Sequence, residues 1–158
     1  MTDNIIELDI PLVLGRPPLT ANDRRHWAQK ASLTRMVREA VAWRAREHRI
    51  NPQGYVIVQL HYTPPDKCRR DPSNLMPTQK PAVDGLVDAG VVADDTPEYV
   101  GELMPVIHAP SGTGPRMWLA VATRVLRPAP ALSAEDLAAI YEDTRFERTQ
   151  DAAQGGDQ

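Results

Sequence analysis

The sequence predicts a small single-domain α/β (α+β) fold, and three observations predict it. The chain has 158 residues and a mass of 17.5 kDa, the size that one hydrophobic core serves. Its 42% hydrophobic and 25% charged residues lie near the globular average, which excludes a wholly disordered or collagen-like chain. Along it, segments with the apolar pattern of strands are interleaved with two segments of helical spacing.

In chain order, residues 5–14, IIELDIPLVL, and 55–63, YVIVQLHYT, alternate or cluster apolar residues as core strands do. Between them, Asn22 or Asp23 is a candidate cap for a helix running to about His48. Leu33, Met36, Val37, Ala40 and Val41 mark its buried stripe, and arginines occupy the other side. Residues 64–73, PPDKCRRDPS, form a proline-rich loop that brings Lys67, Arg69 and Arg70 to one place. Thr78 then caps a second helix to about Ala89, with Pro81 in its first turn, Gly90 ending it and Val83, Leu86 and Val87 buried. Residues 98–108 and 116–126 read as two strands joined by APSGTGP, whose glycines and prolines suit a hairpin connection. That glycine-bearing segment is not a phosphate-binding P-loop, because Pro115 and Arg116 lead into a strand where a lysine should open a helix. After Arg127 a PAPA stretch stops the domain, and 128–158 reads as an extension with a short helix at 133–145 and a fraying tail.

Several function classes drop out. No apolar run approaches the roughly 20 residues of a membrane helix, and the N-terminus lacks the pattern of a secretory signal, so a cytoplasmic protein without a membrane partner is expected. A single cysteine, Cys68, makes no internal disulfide and fits a reducing compartment. The four histidines lack the spacing that points two rings at one metal and read as ordinary residues. The net charge of −3 hides an asymmetry: residues 16–49 hold nine Arg/Lys against three Asp/Glu, and 133–158 hold two against seven. Such a basic segment is either an anion-binding face, with nucleic acid the commonest large anion, or a solvated helix face.

The richest segment for chemistry is Arg69 to Glu98, where Asp71, Asp84, Asp88, Asp94 and Asp95 mix with Arg69, Arg70 and Lys80. If the loop before the second helix and the turn after it fold to one side, Asp71, Asp94 and Asp95 approach one another. Two bare carboxylates about 4 Å apart repel by about 4 kcal/mol at an effective dielectric near 20, so such a group needs a cation. Oxygen-only donors with open positions suit magnesium, with manganese as the variant. Lys80, Asp84 and Asp88 fall at i, i+4 and i+8 and share one helix face, either as a salt-bridged stripe or as part of this site. Asp94 and Asp95 also suit an ordinary turn. Gly85 in the helix interior points to a close approach by backbone, substrate or a partner chain.

The order Asp71, Asn74, Lys80, Asp84, Leu86, Ala89, Gly90, Asp94-Asp95 resembles the signature of RusA-like Holliday junction resolvases, the crossover junction endodeoxyribonucleases. Arg16 to Asn22, RPPLTAN, is similar to that family's N-terminal strand exit, and the resemblance covers about residues 5–126. It implies a mixed sheet packed against two main helices over residues 1–127, and a homodimer that cuts four-way DNA with magnesium in recombination and repair. Many such proteins are carried by phages or prophages. Carried over by position, Asp71 and Asp95 bind metal and act in catalysis, Asp94 supports them, and Lys80 meets the scissile phosphate. This chain departs from the pattern at Ser73, where the family has a second aspartate, and in about three extra residues between Asn74 and Lys80. Asp84 is the candidate substitute ligand. Arg24, Arg25, Lys30, Lys67, Arg69 and Arg70, with Asn74 beside them, are the expected DNA contacts. Six phosphate contacts correspond to a log–log salt slope of about −5 on duplex DNA. The alternative is a branched-DNA binding protein of the same fold whose catalysis is impaired through Ser73.

Overall fold

The computed structural model describes residues 4–126, together with Ser133, Glu135 and Ala138, so most of the expected C-terminal helix and tail lie outside the described residues. The domain that carries the fold is the unit Met1–Arg127. Its elements are strand β1 (Ile5–Asp9), helix α1 (Trp27–Glu47), strand β2 (Val56–Thr63), helix α2 (Met76–Asp88) and strands β3 (Val100–Glu102), β4 (Val106–Ile107) and β5 (Arg116–Ala122). The sheet is mixed and the expected α+β class holds. β5 lies antiparallel between β1 and β2, while β3 and β4 run parallel to β2 on its other edge. Among the described residues no helix is long and apolar enough to cross a membrane.

The period-2 pattern of the strands sends one side chain of each pair inward. Val56, Val58, Leu60 and Tyr62 of β2, Met117, Leu119 and Val121 of β5 and Leu8 of β1 are buried. Val37, Val41 and Ala45 of α1 and Ala82, Val83 and Leu86 of α2 complete the same core. The opposite sheet face carries Glu7, Asp9, His61, Arg116 and Trp118. Here the structure joins two histidines that sequence spacing kept apart: His61 Nδ1 and His108 Nε2 lie 2.9 Å apart, and both rings stack on Trp118. Burial, followed by the neighbouring His108, lowers the pKa of His61.

Four local expectations are corrected. The first strand ends at Asp9, because Pro11 has no N–H to give the ladder, and the rest of the segment closes into a turn at Val13–Arg16. The cap of α1 is His26, whose Nδ1 accepts the N–H of Ala28 at 3.3 Å; Asp23 is instead held by Arg25. At the second helix, Asp71 caps a 3-10 turn, Pro72–Leu75, that runs straight into α2. Thr78 is therefore buried within the helix, where its hydroxyl donates to Leu19 O (2.7 Å) and accepts from Leu19 N (3.2 Å). The segment after β4 is not the expected hairpin. β4 and β5 occupy opposite edges of β2, so the segment crosses the end of that strand and forms no hairpin. The end of α2 is as expected. Gly90 at φ +74 takes the left-handed position, with Val91 N bonded to Leu86 O and Gly90 N to Val87 O, the two bonds of a Schellman cap.

A side chain completes the sheet where its parallel edge is interrupted. β2 pairs with β3 up to Val58 and with β4 from His61, and between them fully buried Gln79 supplies the missing rung. Its Oε1 accepts Leu60 N–H (3.0 Å), and its Nε2 donates to Leu103 O and Glu102 Oε2 (3.1 Å each). Gln79→Leu keeps the volume but strands a buried N–H and a carbonyl. We expect a loss of about 1.5 kcal/mol in urea unfolding, with the m-value unchanged.

Candidate nucleic-acid interface and acidic cluster

Two neighbouring assemblies surround α2. The first is acidic. Lys80 and Asp84 stand one turn apart on α2, and the turn after the helix returns Asp95 to the same place. Lys80 Nζ pairs with Asp95 Oδ2 and lies 3.9 Å from Asp84 Oδ1, while Asp94 Oδ1 accepts the backbone N–H of Asp95 at 2.8 Å. The ammonium holds the Asp95 carboxyl below its usual range, and the carboxylate raises Lys80 in return. Asp88, on the same stripe, turns away and ties α2 to α1 through Arg38.

Asp71 is engaged elsewhere. Its Oδ1 accepts from both the backbone N–H (2.9 Å) and the hydroxyl (2.8 Å) of Ser73, bonds that lower its pKa, with Arg69 adding a smaller pull in the same direction. Ser73, standing where a carboxylate was expected, thus acts as a donor to Asp71. The structure brings Lys80, Asp84, Asp94 and Asp95 together, and Asp71 makes no hydrogen bond or ion pair with them. Among the described residues no three His, Cys, Asp or Glu side chains surround a point where a metal could sit. The oxygen donors have the right chemistry for magnesium, but their placement in the single chain does not fit it: Lys80 already supplies the cation at Asp95 and Asp84.

The second assembly is basic. A hollow of about 1120 Å³ is lined by Arg16, Arg24, Arg25 and Arg70 with Asp23 and Asp66. It shares Pro17, Thr20, Asn22, Tyr62 and Arg70 with a second hollow of about 520 Å³, which adds Arg69, Asp71 and Asn74. The two form a groove with five arginines against three aspartates in a chain of net charge −3. The wall at residues 16–25 is fixed by its bonds to α2 and the turn before it. Thr78 holds Leu19, and Ala21 N donates to Asn74 O at 3.0 Å. Arg70 is braced by Asp66 at 2.7 Å. Arg25 bonds both oxygens of Asp23 and the carbonyl of Pro18. Arg16, Arg24 and Arg69 make no ion pair among the described residues, so their charge remains available to a ligand.

Arg25 lowers the Asp23 carboxyl from 3.8 to about 2. A depressed folded-state pKa stabilises above the unfolded value and loses that contribution as pH falls through the folded value. The clamp on this wall therefore persists at pH 5 and releases between about pH 4 and 2. A carboxyl carbon titration by NMR checks this; a midpoint near 3.8 would refute the clamp.

Of the expected DNA contacts, Arg24, Arg25, Arg69, Arg70 and Asn74 line the groove. Lys67 is exposed outside it, and Lys30 sits on α1 close enough to Asp23 to help lower its pKa. Sequence reasoning did not single out Arg16 or Tyr62. The strand pattern placed Tyr62 in the core, yet its hydroxyl reaches Gly15 O at 3.2 Å across the groove floor. Arg16 opens the RPPLTAN segment, which was the one signal available for it. The turn before Arg16 is also unusual. Leu14 (φ +51) and Gly15 (φ +74) occupy both positive-φ positions of a two-residue turn, and leucine there costs about 1–2 kcal/mol. No family model matches the chain, and no match is found among curated proteins.

Proposed function

We propose that this chain binds four-way or branched DNA through the arginine groove, as a cytoplasmic homodimer, and acts on it as a RusA-like junction endonuclease. The observation that carries the reading is the groove itself: arginines concentrated along one fixed wall of an acidic protein, meeting Asp71 and Asn74 of the resolvase-like signature. Arginines so placed hold phosphates and position a duplex without reading its sequence. A four-way junction has two-fold symmetry, so an isologous dimer would present one groove to each of two matching strands. The resemblance implies magnesium or manganese for cutting, and the carboxylates would meet such a cation only in an arrangement other than the one in which Lys80 holds Asp95.

A second reading, junction binding without cutting, is favoured by one specific arrangement: Asp95 is paired with Lys80, and Asp71 is held by the serine that replaces a carboxylate. Incubating a labelled mobile four-way junction with the protein, with and without magnesium, beside Asp95→Asn, separates the two. Magnesium-dependent symmetric nicks that vanish in Asp95→Asn support the nuclease. Retarded junction with no nicks supports the binder, and failure to bind any DNA refutes both.

A further inference from the structure

We propose that Leu14 is a wedge that parts stacked bases at the branch point of a DNA junction. The proposal rests on the DNA-binding reading above and adds the residue that would distinguish a branch from plain duplex.

Leu14 is 97% exposed, the highest value among the large apolar side chains described. It also stands at φ +51, a backbone region that leucine avoids. Turns of this kind ordinarily carry Asn-Gly or Asp-Gly, whose short polar first residue tolerates the conformation and the water. A leucine there combines strain with exposed apolar surface, and the fold recovers neither. The tip is nevertheless rigidly mounted. Val13 N bonds Arg16 O at 2.9 Å, and Arg16 N bonds Val13 O at 3.0 Å. Gly15 O accepts the Tyr62 hydroxyl, and a Cβ on Gly15 would stand 3.6 Å from Pro115 Cγ. This turn forms part of the lining of the larger hollow, so the leucine adjoins Arg16 on a surface shared with Arg24, Arg25 and Arg70.

An apolar side chain held firmly beside phosphate-binding arginines is the arrangement that proteins use to enter and unstack a base step. Unstacking costs least where bases already lack a continuous neighbour, as at the crossover of a junction. The wedge therefore favours branched over linear DNA, while the arginines bind both.

The test uses a four-way junction carrying 2-aminopurine beside the crossover and a linear duplex of the same sequence. The parent chain should bind the junction more tightly than the duplex and raise the 2-aminopurine fluorescence. Leu14→Asn, which suits the turn and should fold, should keep its duplex affinity, lose the fluorescence rise and lower the junction-over-duplex ratio about tenfold. Leu14→Met, still apolar, should retain most of the parent's behaviour. An unchanged ratio and fluorescence in Leu14→Asn would overturn the wedge and leave DNA binding standing, as would an equal loss on both DNAs. A parent with no affinity for either DNA overturns the binding reading, and the wedge with it.

Discussion

Gly85→Ala should destabilise the domain by about 3 kcal/mol, although alanine is the better helix former. At an open helical position the exchange would gain about 1 kcal/mol. Here a Cβ would stand 2.5 Å from the carbonyl oxygen of Arg38, 3.0 Å from Val41 Cβ and 3.2 Å from Ala42 N. Those atoms are mostly the backbone of α1, so α1 and α2 must separate. The separation would open contacts at Val37, Val41, Ala82 and Leu86, all fully buried. Overpacking against backbone, which cannot move aside as a side chain can, goes beyond the usual range of about 1–3 kcal/mol to about 4 kcal/mol, and exceeds the propensity gain. Thermal and urea unfolding measure the difference; a variant as stable as the parent would mean that α1 and α2 are not in contact at this glycine. The close approach signalled by a glycine inside a helix is thus that of a neighbouring helix backbone.

The second large effect concerns binding. Substituting Arg16, Arg24 and Arg69 together with alanine should weaken duplex affinity by about two to three decades at about 0.1 M salt. The estimate follows from counterion release: three phosphate contacts contribute about −2.7 to the log–log salt slope, and that slope is lost with them. Because Arg25 and Arg70 already pair with Asp23 and Asp66, and neither Lys30 nor Lys67 lines the groove, the expected slope for the parent is nearer −3 than the −5 of six free contacts. Titrations at several salt concentrations check both values. A triple variant with the parent's slope would move the DNA interface away from this groove. Arg25→Ala serves as a contrast, because its main effect should be on stability at the Asp23 clamp, with little change in slope.

Much of the fold was legible because burial leaves a periodic trace. The alternation at 55–63 located β2 nearly to the residue, and Gly90 marked the end of α2 through the left-handed position it must occupy. Capping was less legible. Thr78 has the side chain of a cap, but a buried backbone partner at Leu19 claimed its hydroxyl, and Asp23 was claimed by Arg25. Hydrogen-bond groups of this kind go to whichever partner the tertiary fold brings, and a local pattern cannot rank partners 59 residues apart. The connection at 109–115 misled for a related reason: its turn residues are genuine, but strand neighbours are chosen by the edges left open on β2.

By itself, then, the sequence determined roughly where most strands and helices lie, which faces they bury, and the concentration of arginine before an aspartate-rich segment, because these depend on side-chain period and composition. Only the tertiary structure decided that Lys80 settles on Asp95, that Asp71 turns to Ser73, that the arginines of two separate segments line one groove, and that His61 meets His108 on Trp118. Each of these is a pairing between groups whose attraction acts over a few ångströms, and the distances between them are set by packing of the whole core.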